Sequence, residues 1–210
     1  MDNSTFVSQS STAGPTGRFS HQNYVISRKL MKLIGGTFFV HDPSGQLVLY
    51  ASLKAFKLKE DITLYTGEDK TEAVLTIKAR SILDFGATYD VTDAKSGQSV
   101  GALRRKGWQS FIQDEWAILD PQDRELGTIK EDSTILALIR RFIEYVSFFL
   151  PQKFNAEIGG RPVALFTQKK NPFSSKLEVD FSADTSNLFD RRLALAAGIL
   201  LCAIEGRQSA

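Results

Sequence analysis

From Leu193 to Ile204 the chain carries no charged or hydrogen-bonding side chain other than the Cys202 thiol. A helix that is apolar on every side must be buried, in a large core or in lipid. Crossing a bilayer takes about 20 such residues. This run is much shorter and is bounded by Arg191, Arg192 and Glu205. Its small residues (Ala194, Ala196, Ala197, Gly198, Ala203) make it slim. The pattern predicts a helix over Asn187–Glu205 buried inside a protein core, with Leu193, Leu195, Ile199, Leu200 and Ile204 as packing side chains, and no transmembrane span. Asn187, with Asp190 three residues on, resembles a capping box, and Gly206 stands where a helix often ends.

A core able to surround such a helix must come from the rest of the chain, which reads as β-strands. Phe38–Leu53 has strand residues on both sides of Asp42-Pro43-Ser44-Gly45. Pro presets φ for a turn and Gly supplies positive φ. The same arrangement recurs around Asp93–Gly97 and Asp120-Pro121, and Gly159-Gly160 reads as a two-residue hairpin loop. Further strand-like runs are Ile62–Thr66, Ala73–Ala79, Trp108–Ile112 and Lys176–Phe181. The spacing of the hairpins varies, which excludes a solenoid. Roughly a dozen strands are predicted, and a closed barrel or a two-sheet sandwich accommodates them. Closure also removes open edges, which invite aggregation.

Ser133–Leu150 breaks the β pattern. Ile135, Leu138, Ile139, Phe142, Val146 and Phe149 fall on one helical face and Arg140, Arg141 and Glu144 on the other, with Pro151 as the stop. This amphipathic helix is expected to plug a barrel end, or to lie in a membrane interface.

The chain has 210 residues, a length that suits one larger all-β domain. Residues 1–20 are rich in Ser, Thr and Gly and are expected to be a disordered tail, with a single domain over 21–208. They lack the pattern of a secretory signal. The single cysteine, Cys202, permits no internal disulfide, which is compatible with a reducing, cytoplasmic location. A net charge of +2 falls short of the overall basic bias of a duplex-DNA binder, so nucleic acid is not an expected partner.

Four segments carry a family resemblance: Leu103–Asp120 (LRRKGWQSFIQDEWAILD), Gly127–Ser133 (GTIKEDS), Arg140–Phe154 (RRF…FLPQKF) and Phe189–Gln208 (FDRRLALAAGILLCAIEGRQ). Their order, with the hairpins, resembles the tubby C-terminal-like superfamily, and within it the LURP-one-related and phospholipid-scramblase-like proteins. The resemblance spans about Tyr24 to Gln208. It implies twelve antiparallel strands closed around a C-terminal helix. It also implies a lipid connection: tubby-like domains bind phosphoinositide headgroups through surface Lys and Arg, and scramblases are linked to calcium-dependent phospholipid movement.

Enzyme signals are poor. The two histidines, His21 and His41, make no Ser-His-Asp or Cys-His arrangement, and no phosphate loop, HExxH or CxxC occurs. Cys202, inside the apolar helix, is expected to pack as an inert thiol. No cofactor is expected, calcium apart. The segment Asp180–Asp190 stands where scramblases carry an acidic calcium-binding stretch, so Asp180, Asp184 and Asn187 are candidate calcium ligands. It departs from an EF-hand: no Gly holds the sharp turn, and Arg191 stands where the bidentate Glu belongs. The plainer reading is a polar turn with a helix cap.

Basic residues near aromatics offer the binding chemistry. Arg104, Arg105 and Lys106 precede Trp108, Lys169 and Lys170 lie near Phe173, and Lys54, Lys57 and Lys59 recur along a strand-like run. Arg104, Arg105, Lys106, Lys169 and Lys170 are the candidate headgroup contacts, with Trp108 as the interfacial aromatic. Edge-protecting lysines give the same pattern. The favoured reading is a scramblase-like, non-enzymatic barrel that associates peripherally with anionic phospholipids. The alternative is a soluble protein-interaction or scaffold domain whose partner is a protein.

Overall fold

Aspartates set the turns. In a computed structural model that describes residues 17–31, 35–53, 62–80, 86–106, 115–132, 151–170 and 174–205, the Asp42 carboxylate accepts the backbone N–H groups of Ser44 and Gln46. Asp93 accepts those of Lys95 and Ser96, and Asp120 those of Gln122 and Arg124. Such a side chain mimics a backbone turn and folds the chain back locally. Gly159 and Gly160 hold the positive φ values of +57° and +74° that a two-residue hairpin loop needs.

Twelve strands result: β1 (Asn23–Met31), β2 (Gly35–His41), β3 (Leu47–Leu53), β4 (Ile62–Tyr65), β5 (Ala73–Ala79), β6 (Thr88–Asp93), β7 (Ser99–Arg105), β8 (Glu115–Leu119), β9 (Glu125–Glu131), β10 (Gln152–Ile158), β11 (Arg161–Lys170) and β12 (Ser174–Asp180). Neighbours in sequence pair antiparallel, and β1 closes the barrel on β12, with Ile26 opposite Leu177. The expected closed barrel is what forms. The predicted strand Trp108–Ile112, the predicted helix Ser133–Leu150 and residues 1–16 of the predicted tail lie outside the described residues.

Side chains alternate across the wall. Along β10, Phe154 and Ala156 are buried while Lys153, Asn155 and Glu157 are exposed. The inward set meets the helix α1 (Arg191–Glu205), which runs up the barrel against β1, β7 and β12. Each described side chain of α1 from Leu193 to Ala203 is 3% exposed or less, on every face of the helix. That covers the predicted packing residues Leu193, Leu195, Ile199 and Leu200; the side chain of Ile204 lies outside the described residues. Among the described residues, no helix is long and apolar enough to cross a membrane.

The direction of α1 gives the barrel two distinct ends. Arg192, in its first turn, reaches Asp93 in the β6–β7 turn at 3.4 Å. Arg28, near the finish of β1, donates to the carbonyl oxygen of Cys202 at 2.9 Å. The aspartate turns thus share the end where α1 starts, and odd-numbered strands finish at the far end with it.

The turn aspartates carry a pH signature. Hydrogen bonds from Ser44 to Asp42, and from Ser96 to Asp93, hold both carboxyls below the usual range. Burial pushes Asp120 up, but bonds from Arg124 and Gln122 outweigh it and leave it lowered as well. A depressed folded-state pKa adds stability that is present above the unfolded value, near 3.8, and is lost as pH falls through the folded value. Denaturant midpoints are therefore expected to change little from these groups between neutral pH and about pH 5, and to drop below about pH 4. The triple variant Asp42→Asn, Asp93→Asn, Asp120→Asn, titrated the same way, should show a flatter drop; an identical slope would refute the assignment.

Candidate functional site

Strand alternation separates residues that sequence places side by side. On β7, Leu103 is fully buried in the core. Arg105, two residues on, shares its face and lies directly opposite the buried Trp116. Arg104 takes the other face and is exposed. The Arg104-Arg105-Lys106 run is therefore not one patch: Arg105 turns into the barrel end, and Arg104 and Lys106 face outward. The Lys106 ammonium lies 3.1 Å from Glu115 and 3.0 Å from Glu125, and Lys130 adds a 3.6 Å contact to Glu115. Lys169 is exposed and bonded to Glu178 at 2.7 Å. Lys54, Lys57, Lys59, Trp108 and Phe173 lie outside the described residues, as does the side chain of Lys170.

Barrel closure brings the predicted Lys169 together with three lysines that no sequence run announces. Lys29 on β1, Lys176 on β12, Lys169 on β11 and Lys153 on β10 are all exposed, on four consecutive strands, toward the far end. Lys169 and Lys176 stand directly opposite each other in the β11–β12 register. Like charges in that relation destabilise a sheet, and Glu178 pairs with Lys169 at 2.7 Å. The Lys29 ammonium sits 4.9 Å from the Phe39 ring centre, in cation–π range. The signal available in the sequence was only that each lysine alternates with an inward residue: Arg28, Phe154, Gln168 and Leu177.

Inside the same end the wall turns polar. Arg28, Ser175, Gln168, Gln152 and Glu131 come from β1, β12, β11, β10 and β9, in that order around the barrel. Each lies two residues from a buried core side chain on its own strand and so faces inward. Gln152 and Gln168 are directly opposite in the β10–β11 register. Gln152 Nε2 donates to Glu131 Oε1 at 3.2 Å, and Gln168 Nε2 to Ser175 Oγ at 3.0 Å. The Oε1 atoms of both glutamines are shut off from solvent and accept no hydrogen bond among the described residues. A buried acceptor left so costs about 1–3 kcal/mol.

The start of α1 is a different kind of site. Asp184 is buried and accepts from the backbone N–H groups of Leu188 (2.8 Å) and Phe189 (3.1 Å) and from Arg191 Nη1 (2.7 Å). Burial pushes its carboxyl up, but Arg191 and the two N–H groups outweigh it and hold it low. Asp190, not Asn187, caps the helix: its carboxylate accepts the N–H of Arg192, and its carbonyl takes the first helical bond, from Ala194. Asn187 is in the left-handed region (φ +50°), and its Oδ1 accepts from Arg191. The predicted capping box fails because Asn187 is spent on the turn before the helix, which starts at Arg191. Asp180 accepts the N–H of Ser182. The three candidate calcium ligands are thus each engaged in hydrogen bonds of this turn. Among the described residues, no group of three or more His, Cys, Asp or Glu side chains is arranged to hold a metal ion.

The sequence profile of the LURP-one-related family matches residues 47–202. The chain belongs to the LURP-one-related family. The match opens on the first residue of β3 and runs to Cys202 in α1, so it takes in ten of the strands and most of the buried helix. In this LURP-one-related barrel, β1 and β2 fall outside the matched stretch, yet they seal the wall between β3 and β12. Among solved structures, an X-ray structure of a protein from Arabidopsis thaliana is similar at 12% identity and a TM-score of 0.45, over 89% of this chain and 93% of that one. No curated protein matches.

Proposed function

We propose that this LURP-one-related barrel is a binding domain that associates peripherally with anionic phospholipid surfaces through the basic face at its far end. The observation that carries the reading is the exposed set Lys29, Lys153, Lys169 and Lys176 on four adjacent strands. Opposed lysines are a cost to the free sheet that an anionic surface relieves. Near a membrane each such cation contributes on the order of 1 kcal/mol.

Co-sedimentation with phosphatidylcholine vesicles containing phosphatidylglycerol tests this. Binding is expected at low salt and should be lost near 1 M salt, where the screening length is about 3 Å. The variant Lys29→Ala, Lys169→Ala, Lys176→Ala should weaken binding roughly 100-fold, from about 1 kcal/mol per lysine. Absence of binding to anionic vesicles at low salt sinks the proposal, and favours a protein partner for the same face.

A further inference from the structure

We propose that the β8–β9 turn is a strap folded across the outer wall of the barrel and fastened by Arg80, and that it opens while the barrel stays closed. Arg80 follows β5. Its guanidinium donates to Asp90 on β6 at 2.6 Å and to Asp123 in the β8–β9 turn at 2.6 Å. The two carboxylates therefore lie within one guanidinium of each other. Their strands are not neighbours, because β7 runs between β6 and β8. The turn must bend back over the outer face of β7 to bring Asp123 to Arg80. Arg80 holds the Asp123 carboxyl below its usual range, and Arg104, outward on β7, adds to this.

Under the path of the turn the outer wall is apolar. Ala102 stands opposite Asp90 on one side and Leu119 on the other. It lies between Gly101, whose Cβ would meet Leu193 of α1, and Leu103 in the core, so it faces away from both. Leu119 and Ala117 share that outward face. All three are nevertheless 1% exposed or less, and they form a cluster apart from the main core. The clasp above them is weakly held. The side chains of Arg80, Asp90 and Asp123 are each a third to a half exposed, so salt screens them. Asp123 has a φ of +64°, in the left-handed region where glycine is at ease. An aspartate there accepts backbone strain and presents a carboxylate to Arg80. The bonds from Gln122 and Arg124 to Asp120 shape the turn but tie it to nothing outside itself. Arg80 supplies the tie across the wall, and its release uncovers Ala102 and Leu119. The inference does not rest on docking at the lysine face, which lies on β10, β11, β12 and β1.

Thiol labelling of Ala102→Cys in the full chain tests this, with the buried Cys202 as an internal reference for unfolding of the barrel. At low salt Cys at position 102 is expected to label well ahead of Cys202. Arg80→Gln, and separately 1 M sodium chloride, should speed its labelling about fivefold and leave Cys202 unchanged. Salt should add little once Arg80 is replaced. Asp123→Gly, which removes the carboxylate and the strain together, should speed labelling as much as Arg80→Gln does. Labelling of position 102 at the rate of Cys202 in every condition overturns the proposal, because the wall would then open only with the core. A rate that both Arg80→Gln and Asp123→Gly leave unchanged overturns it as well. Should Ala102→Cys fail to fold, hydrogen exchange at the Gln122 and Arg124 amides decides. Faster exchange there in Arg80→Gln, with the β8–β9 ladder unchanged, is expected, and equal exchange rejects the strap.

Discussion

Aspartate in place of Gly198 unfolds the barrel. Gly198 sits midway along α1, and a Cβ placed there lies 2.5 Å from Ile26 Cδ1, 3.2 Å from Leu177 Cδ2 and 3.8 Å from Phe166. All three neighbours are fully buried. They come from β1, β12 and β11, so the helix meets the wall at the seam where the barrel closes. A methyl group alone meets the far ends of two flexible side chains, Ile26 and Leu177. Gly198→Ala therefore adds overpacking of about 1–3 kcal/mol, partly offset by about 1 kcal/mol of helix propensity. A carboxylate adds an unpaired charge in an apolar core, at several kcal/mol more. Against a total stability of about 5–15 kcal/mol, the alanine variant folds with a lowered midpoint and the aspartate variant does not fold. Circular dichroism and denaturant titration of the purified proteins check this. A cooperatively folding Gly198→Asp variant would show that α1 is not enclosed.

That result would also test how far local sequence reaches. The barrel was legible because its signals are short-range. An aspartate two to four residues before the N–H it accepts makes a turn without help from the rest of the chain, as at Asp42, Asp93 and Asp120. The buried helix was legible for the opposite reason: a run apolar on every side admits few environments. The candidate site was legible only in part. Arg104 and Arg105 are neighbours in sequence but face opposite sides of a strand, because alternation overrides adjacency. Lys29 and Lys176 come from distant parts of the chain and meet only because β1 closes on β12. The polar rank of Arg28, Ser175, Gln168, Gln152 and Glu131 is likewise scattered over five strands, and each member alone resembles an ordinary strand-end residue. Register, not composition, creates both sites.

The turn before α1 shows how one residue type carries two readings. Asp180, Asp184 and Asn187 have the oxygen chemistry of a calcium loop, and the same oxygens serve a helix start. Arg191, which the sequence already sets against a calcium loop, has its guanidinium 4.0 Å from the Phe181 ring centre and reaches back to Asp184. Two arginines in the first turn oppose the positive end of the helix dipole. Asp184 and Asp190 offset them, through 2.7 Å contacts to Arg191 and Arg192. The acidic stretch therefore has a structural task, set by the cations that open α1.

Removing Asp184 has the second-largest expected effect. Its side chain is fully buried and that of Arg191 is 11% exposed, so solvent screens the pair little. Asp184→Ala leaves the guanidinium without its main partner beside a helix N-terminus, and leaves the N–H groups of Leu188 and Phe189 without an acceptor. Breaking a buried pair in this way costs about 3–5 kcal/mol. Asp184→Asn keeps one acceptor oxygen and the shape of the turn, and should cost clearly less. Arg191→Ala leaves a buried carboxylate that still accepts two N–H bonds, so its loss is also expected to be the smaller. The double variant separates pair from turn: a coupling energy of about 1–3 kcal/mol between the alanine substitutions is expected for groups in direct contact. Denaturant midpoints with unchanged slopes report it. If Asp184→Ala lowers stability by less than about 1 kcal/mol, the latch is not what holds α1 at its starting point. The aspartate turns and the core would then have to position the helix by themselves, and Arg192 with Asp93 would become its principal tie to the wall.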